Sequence, residues 1–150
     1  MKRLILVRHA KSSLNQPLVS DHERILNELG NNEAKLIGQY LFNNQYAPSH
    51  IISSTATRTI ETANIITKQL KFKNKIEKQS LIYSDSFLNI LNLINHVEKQ
   101  YQCIMLVGHN PTITQLINHI TNVKINHMPT CGTGIIDLIP PGIALQKMES

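Results

Sequence analysis

Two short apolar runs, each delivering a histidine at its end, constrain this chain more than any other feature. Leu4-Ile5-Leu6-Val7 leads into Arg8-His9, and Ile104-Met105-Leu106-Val107 leads into Gly108-His109. Neither run alternates apolar with polar residues. That is the pattern of a strand covered on both faces, and such strands belong to parallel sheets sandwiched by helices. In sheets of this kind ligands bind just beyond the carboxyl ends of the strands. Two imidazoles delivered there, one beside an arginine, point to a convergent site for an anion.

The remaining pattern extends the same architecture. Residues 11–24 are polar, contain Pro17 and the Asp21-His22-Glu23-Arg24 cluster, and read as an exposed loop. Leu29, Leu36, Ile37, Tyr40 and Leu41 fall on one helical stripe and are expected to face the core. A short strand is expected at 49–53. A helix follows from about Thr55, with Ile60, Ala63, Ile66 and Leu70 inward, and a third strand is expected over 76–82. Ser84 or Asp85 is placed to cap a helix whose inward face holds Phe87, Ile90, Leu91 and Ile94. After the strand 103–107, Asn110 reads as an N-cap and Pro111 as the first helical residue, with Ile113, Leu116, Ile117 and Ile120 inward. Two last strands, 134–139 and 143–148, flank Pro140-Pro141-Gly142 and predict one antiparallel edge strand. The expectation is a single three-layer α/β/α domain over 1–150, with a mostly parallel sheet and helices on both faces.

Composition narrows the function classes. A hydrophobic share of 41% and a charged share of 17% fit an ordinary folded chain. The formal charge of +5 attracts phosphorylated or acidic partners. A nucleic-acid partner is not expected, because Lys68, Lys71, Lys73, Lys75 and Lys78 are interleaved with apolar residues and aromatic residues for base stacking are few. Cys103 and Cys131 lack metal-ligand spacing and read as reduced thiols. The apolar run after Met1-Lys2-Arg3 stops at Arg8, too short for a secretory leader, and no run approaches a membrane span. A cytoplasmic monomer with no membrane association is expected. His22, His50, His96, His119 and His127 show no ligand spacing, and neither a dinucleotide loop nor a phosphate-binding P-loop is present, so no cofactor or metal is expected.

Three segments in order carry a resemblance. Leu6-Val7-Arg8-His9-Ala10, Ser53-Ser54-Thr55-Ala56-Thr57-Arg58-Thr59-Ile60-Glu61-Thr62-Ala63 and Val107-Gly108-His109-Asn110-Pro111 resemble the histidine phosphatase superfamily, with Ala10 where most members carry glycine. The resemblance implies a nucleophile at His9 and a phosphate pocket formed by Arg8, Arg58 and His109. The residue types suit that chemistry. A neutral imidazole nitrogen attacks phosphorus and splits one hard displacement into two easier ones. Planar guanidinium groups grip phosphoryl oxygens in pairs. His9's other ring nitrogen is expected to be tied to a backbone carbonyl, and His109, if protonated, adds a third donor. Arg58 opens a helix, where the dipole disfavours a cation, and this supports a functional role. Arg24 either touches the phosphate or pairs with Asp21 to order the loop. Ser12, Ser13 and Ser54 read more simply as solvated hydroxyls.

Two features narrow the substrate. Only short elements separate Arg58 from His109, so the site is expected to be shallow, which suits a phosphate displayed on a protein. The stretch Ser80-Leu81-Ile82-Tyr83-Ser84-Asp85 carries no Glu to protonate a departing alkoxide, and Asp85 is better placed as a helix cap. The chain is most similar to the small SixA-type phosphohistidine phosphatases, which implies a phosphorylated histidine-phosphotransfer domain as partner. The alternatives are a phosphomonoesterase for a small phosphorylated molecule, with Asp85 as acid, and a non-catalytic phosphate-binding module.

Overall fold

Strand β1 (Lys2–Arg8) runs parallel to β4 (Cys103–Gly108), with Arg3 opposite Cys103 and Arg8 opposite Gly108. This register brings the two histidine-bearing ends to the same edge of the sheet. The computed structural model describes residues 2–14, 17–97, 99–139 and 143–144. β2 (His50–Ser53) pairs in parallel with β4 on its other side, and the two-residue β3 (Glu77–Lys78) pairs with β2. β5 (Thr133–Ile139) runs antiparallel to β1, and β6 (Ile143–Ala144) returns antiparallel to β5. The order is β3-β2-β4-β1-β5-β6.

The continuous apolar runs are explained by the two layers of core. Leu4 and Leu6 of β1, with Ile104 and Leu106 of β4, face one side and pack with α4 (Phe87–Val97) and α5 (Thr112–Ile120). Ile5, Val7, Met105 and Val107 face the other side, against α1 (Glu28–Asn43) and α2 (Thr57–Leu70). All eight side chains are buried. The chain is thus an α/β sandwich with a mostly parallel sheet and helices on both faces. Among the described residues, no helix is long and apolar enough to cross a membrane.

The antiparallel edge expected from the sequence is present as the β5–β6 pair, with β6 outermost and β5 also antiparallel to β1. Other local expectations need correction. Positions 145–148 of the expected last strand, and the 140–142 turn, lie outside the described residues. The third strand shrinks to two residues, and the segment after it becomes a helical turn, α3 (Leu81–Ser84), which buries Ile82. The inward face of α1 is not the large apolar stripe. It is Gly30, Ala34, Gly38 and Leu41, with Ile37 packed beside them; of the expected stripe Leu41 and Ile37 face the core, while Leu29, Leu36 and Tyr40 are exposed. The reason is close packing on α2: a Cβ at Gly38 would stand 2.7 Å from Gln69 Cβ and 3.2 Å from Ile66 Cα. Only small residues permit that approach.

Candidate active site

Three neighbouring strands build the site at their carboxyl ends. The β1–β4 ladder continues one step past the strands, with His9 N donating to the Gly108 carbonyl at 3.0 Å. Ser54 N likewise donates to the Val107 carbonyl at 3.1 Å, which extends β2 alongside. The histidines therefore leave adjacent strands side by side, with rings 5.4 Å apart. α2 begins at Thr57, just after β2, so Arg58 in its first turn stands over the same edge. Arg8, His9, Arg58 and His109, separated by up to a hundred residues in sequence, converge through topology alone.

Each side chain is held in a defined orientation. The Nδ1 of His9 lies 2.7 Å from the Ala10 carbonyl. A carbonyl only accepts, so Nδ1 carries the hydrogen and Nε2 is a bare lone pair. His109 Nε2 lies 2.8 Å from Ser54 Oγ. That oxygen accepts the Ala56 N–H at 3.2 Å, and when its own hydrogen goes to Nε2 the ring hydrogen of His109 sits on Nδ1. Arg8 Nη1 donates to the Met128 carbonyl at 3.0 Å and contacts His127 Nε2 at 3.1 Å. Arg58 Nη1 donates to the main-chain oxygen of Asp21 at 2.7 Å, and its Nη2 donates to the Asp21 carboxylate at 3.1 Å. Arg8 Nε, Arg58 Nε and His109 Nδ1 are buried and have no hydrogen-bond partner within the protein. Buried polar atoms are normally satisfied. Three such atoms on neighbouring residues leave hydrogen-bonding capacity that an anion can use.

The electrostatics follow from burial. His9 is pushed down from 6.5 to about 4, first by desolvation and then by Arg58, Arg8 and Arg24, against the opposing pull of its bond to Ala10. His109 falls to about 3, again chiefly by desolvation, with Arg58 and His9 adding to it. Both rings are neutral at physiological pH. A neutral His109 with its ring hydrogen on Nδ1 can donate there without being protonated. Burial also lowers Arg8, with Arg58 adding to the effect.

The loop after His9 supplies a second tier. Its 3-10 turn, Asp21–Glu23, places the Asp21 carboxylate between two arginines. Arg24 pairs with Asp21, Nε donating to Oδ1 at 3.1 Å, and its Nη1 donates to Ser12 Oγ at 2.5 Å, close enough to the site for its charge to act on His9. Asp85 is exposed and its carboxylate accepts from the Asn89 side chain, Nδ2, at 2.7 Å, a side-chain contact and not the bond to a helical N–H that a cap makes. α5 starts at Thr112, one residue later than expected. Asn110 Oδ1 accepts the N–H of Thr114, the third helical residue, at 3.3 Å and the Thr114 hydroxyl at 2.8 Å, as a capping side chain does, while its Nδ2 donates to the Met128 carbonyl. Sequence reasoning missed Tyr83, whose hydroxyl donates to Asp21 Oδ2 at 2.7 Å and whose ring meets His109 edge-on at 5.4 Å. It also missed His22, bonded to Thr55 Oγ1 at 2.8 Å, and His127. Only the crowding of polar residues around Asp21 hinted at the first two. Among the described residues, no cluster of three or more His, Cys, Asp or Glu is placed to hold a metal ion.

Known proteins agree with this geometry. The sequence profile of the histidine phosphatase superfamily (branch 1) matches residues 4–81. The solved structure of a candidate SixA phosphohistidine phosphatase from Agrobacterium tumefaciens superposes with a TM-score of 0.85 at 30% identity, covering 91% of this chain and 92% of that one. An uncharacterised chloroplastic protein of Arabidopsis thaliana is 27% identical over 147 residues, 90% of this chain and 66% of its own length. The mitochondrial serine/threonine-protein phosphatase PGAM5 of Xenopus laevis is 38% identical over 74 residues, covering 49% of this chain and 26% of the relative. The chain thus spans from about a quarter to just under two thirds of these two relatives' lengths. With its profile match covering just over half the sequence and its fold shared along nearly the whole length with a SixA-type structure, this chain belongs to the histidine phosphatase superfamily (branch 1).

Proposed function

We propose that the chain removes phosphate from phosphohistidine on a protein, a histidine-phosphotransfer domain being the expected partner, through a phosphohistidine intermediate on His9. The observation that carries this reading is the His9 ring itself. Its Nδ1–H is spent on the Ala10 carbonyl, and its bare Nε2 stands beside the unpartnered donors of Arg8, Arg58 and His109. Nε2 attacks phosphorus as the bond from phosphorus to the substrate's imidazole nitrogen breaks. Arg8, Arg58 and His109 Nδ1–H hold the charge spread over the equatorial oxygens. The phosphorylated His9 then bears a positive ring whose Nδ1–H is still bound to Ala10. Water attacks phosphorus, the Nε2–P bond breaks, and neutral His9 returns while the water's protons leave with phosphate and solvent.

The leaving group decides between substrates. An alkoxide must be protonated as it departs, whereas an imidazole whose second nitrogen carries a proton leaves as a neutral ring. The carboxylate bonded to Arg58 is that of Asp21, while Glu33 faces Arg8. Hydrogen bonding from Tyr83, helped by Arg58 and Arg24, holds Asp21 at about 2, so it carries no proton to give at neutral pH. This favours phosphohistidine over phosphoesters. The match to PGAM5 over half the chain supports a second reading, a phosphoserine or phosphothreonine protein phosphatase.

The test is release of labelled phosphate from a histidine-phosphorylated phosphotransfer domain, run beside a phosphoserine peptide, with His9→Ala as control. Rapid loss from phosphohistidine that disappears in H9A is the expected result. Preferential loss from phosphoserine, or full activity in H9A, overturns the reading.

A further inference from the structure

We propose that Asp21 is the positioning residue of the phosphate pocket, its carbonyl and carboxylate gripping the two Nη groups of Arg58 so that the guanidinium meets the phosphoryl group with its Nε side. The inference rests on the phosphate-pocket reading above and adds a residue that the sequence motif does not contain.

The contacts divide the guanidinium into a used side and an unused one. Nη1 donates to the Asp21 main-chain oxygen and Nη2 to its Oδ2, which occupies the far end of the fork. Nε is buried without a partner. Three hydrogens remain, and of these Nε–H and its neighbour on Nη2 form the parallel pair that matches two phosphoryl oxygens. Arginine carries enough rotamer freedom that such an orientation must be imposed from outside. Asp21 imposes it and is itself pinned. Oδ1 is held by Arg24, which reaches on to Ser12, and Oδ2 is held by the Tyr83 hydroxyl. The first loop and the segment before α4 thus meet on one carboxylate.

A carboxylate beside an anion site is electrostatically unwelcome, so two roles predict opposite outcomes. If Asp21 merely adds negative charge, removing it tightens anion binding. If it positions Arg58, removing it loosens binding although the site becomes more positive. The side chain is about half exposed, which screens the charge and leaves the geometric role in command.

The experiment compares Asp21→Ala and Asp21→Asn with the intact protein. It reads the dissociation constant of inorganic phosphate by calorimetry and the Arg58 Nε–H signal by NMR. Neither readout requires turnover, so a failed substrate assignment is seen separately in the phosphohistidine assay. Thermal melting confirms that each variant is folded, and D21N, which keeps an acceptor oxygen, serves if D21A is not. The expected result is a roughly tenfold weaker phosphate affinity in D21A, with a broadened or shifted Arg58 Nε–H signal and partial rescue in D21N. Phosphate binding as tight as or tighter than in the intact protein overturns the proposal. So does a loss of affinity with the Arg58 signal unchanged.

Discussion

The imidazole rings of His9 and His109 lie 5.4 Å apart at an angle of 57°, both buried and both neutral. Two positive rings at that distance, beside Arg58 and Arg8, would repel one another in a poorly hydrated pocket. Burial first, and the charge of Arg58 beside both, hold each well below its ordinary value of 6.5, at about 4 and about 3. In the unfolded chain both return to that value. Between about pH 4 and 6.5 the unfolded state binds more protons, so stability rises with pH across that window and is fully present above it. Each histidine contributes about 3 kcal/mol that is lost as pH falls to 4. Urea unfolding at pH 7.5 and pH 4.5 reads the difference. His109→Gln, which cannot charge, flattens the slope, and an unchanged slope in that variant contradicts the assignment.

The tautomers are checked separately. Imidazole nitrogen NMR of the free protein is expected to show both rings protonated on Nδ1, each for its own reason: Ala10 accepts from His9, and Ser54 donates to His109. The bare Nε2 of His9 persists down to about pH 5, since that ring charges near 4. Ser54→Ala removes the donor to His109 and is expected to alter the His109 signals alone. A shift of the His9 tautomer in that variant contradicts the hydrogen-bond pattern.

What the sequence discloses and what it conceals have physical causes. The strands were legible because Leu4–Val7 and Ile104–Val107 must bury both faces, and the histidines after them because a parallel register aligns strand ends. The second tier was not legible. Asp21 meets Arg58 and Tyr83 across 37 and 62 residues, contacts set by loop path and not by any period. The face of α1 was misread for a related reason. Periodicity marks large apolar side chains, whereas the face that α2 approaches is chosen for lacking them.

That close approach yields a paired prediction. Gly38→Ala gains about 1 kcal/mol in helix propensity. It also forces a methyl group within 2.7 Å of Gln69 Cβ, overpacking of a kind that costs about 1–3 kcal/mol. A modest net destabilisation with unchanged kinetics is expected, since this contact lies away from the site residues. At Gly30 the new Cβ would stand 2.0 Å from the Lys11 carbonyl oxygen, which already accepts the Asn27 N–H. Here the backbone must move, and it is the backbone that follows His9-Ala10. Gly30→Ala is expected to cost more stability than G38A and to lower kcat/KM as well. Equal effects of the two on turnover would contradict the packing argument.

The last prediction concerns the proton that a phosphoester needs. Asp85 was the sequence's candidate acid, but its carboxylate is exposed and accepts from Asn89 at the entrance to α4. Asp85→Asn keeps an oxygen for that contact and removes the acid. Turnover of phosphohistidine is expected to stay within about twofold, the scale of a lost surface interaction. Ester hydrolysis in the intact protein should then depend steeply on the leaving group, with p-nitrophenyl phosphate cleaved far faster than an alkyl phosphate, because nothing protonates the departing oxygen. The measurement is kcat/KM across a series of phosphate esters in both proteins. If D85N abolishes alkyl ester hydrolysis that the intact protein performs well, Asp85 is the acid and the small-molecule phosphomonoesterase reading takes precedence.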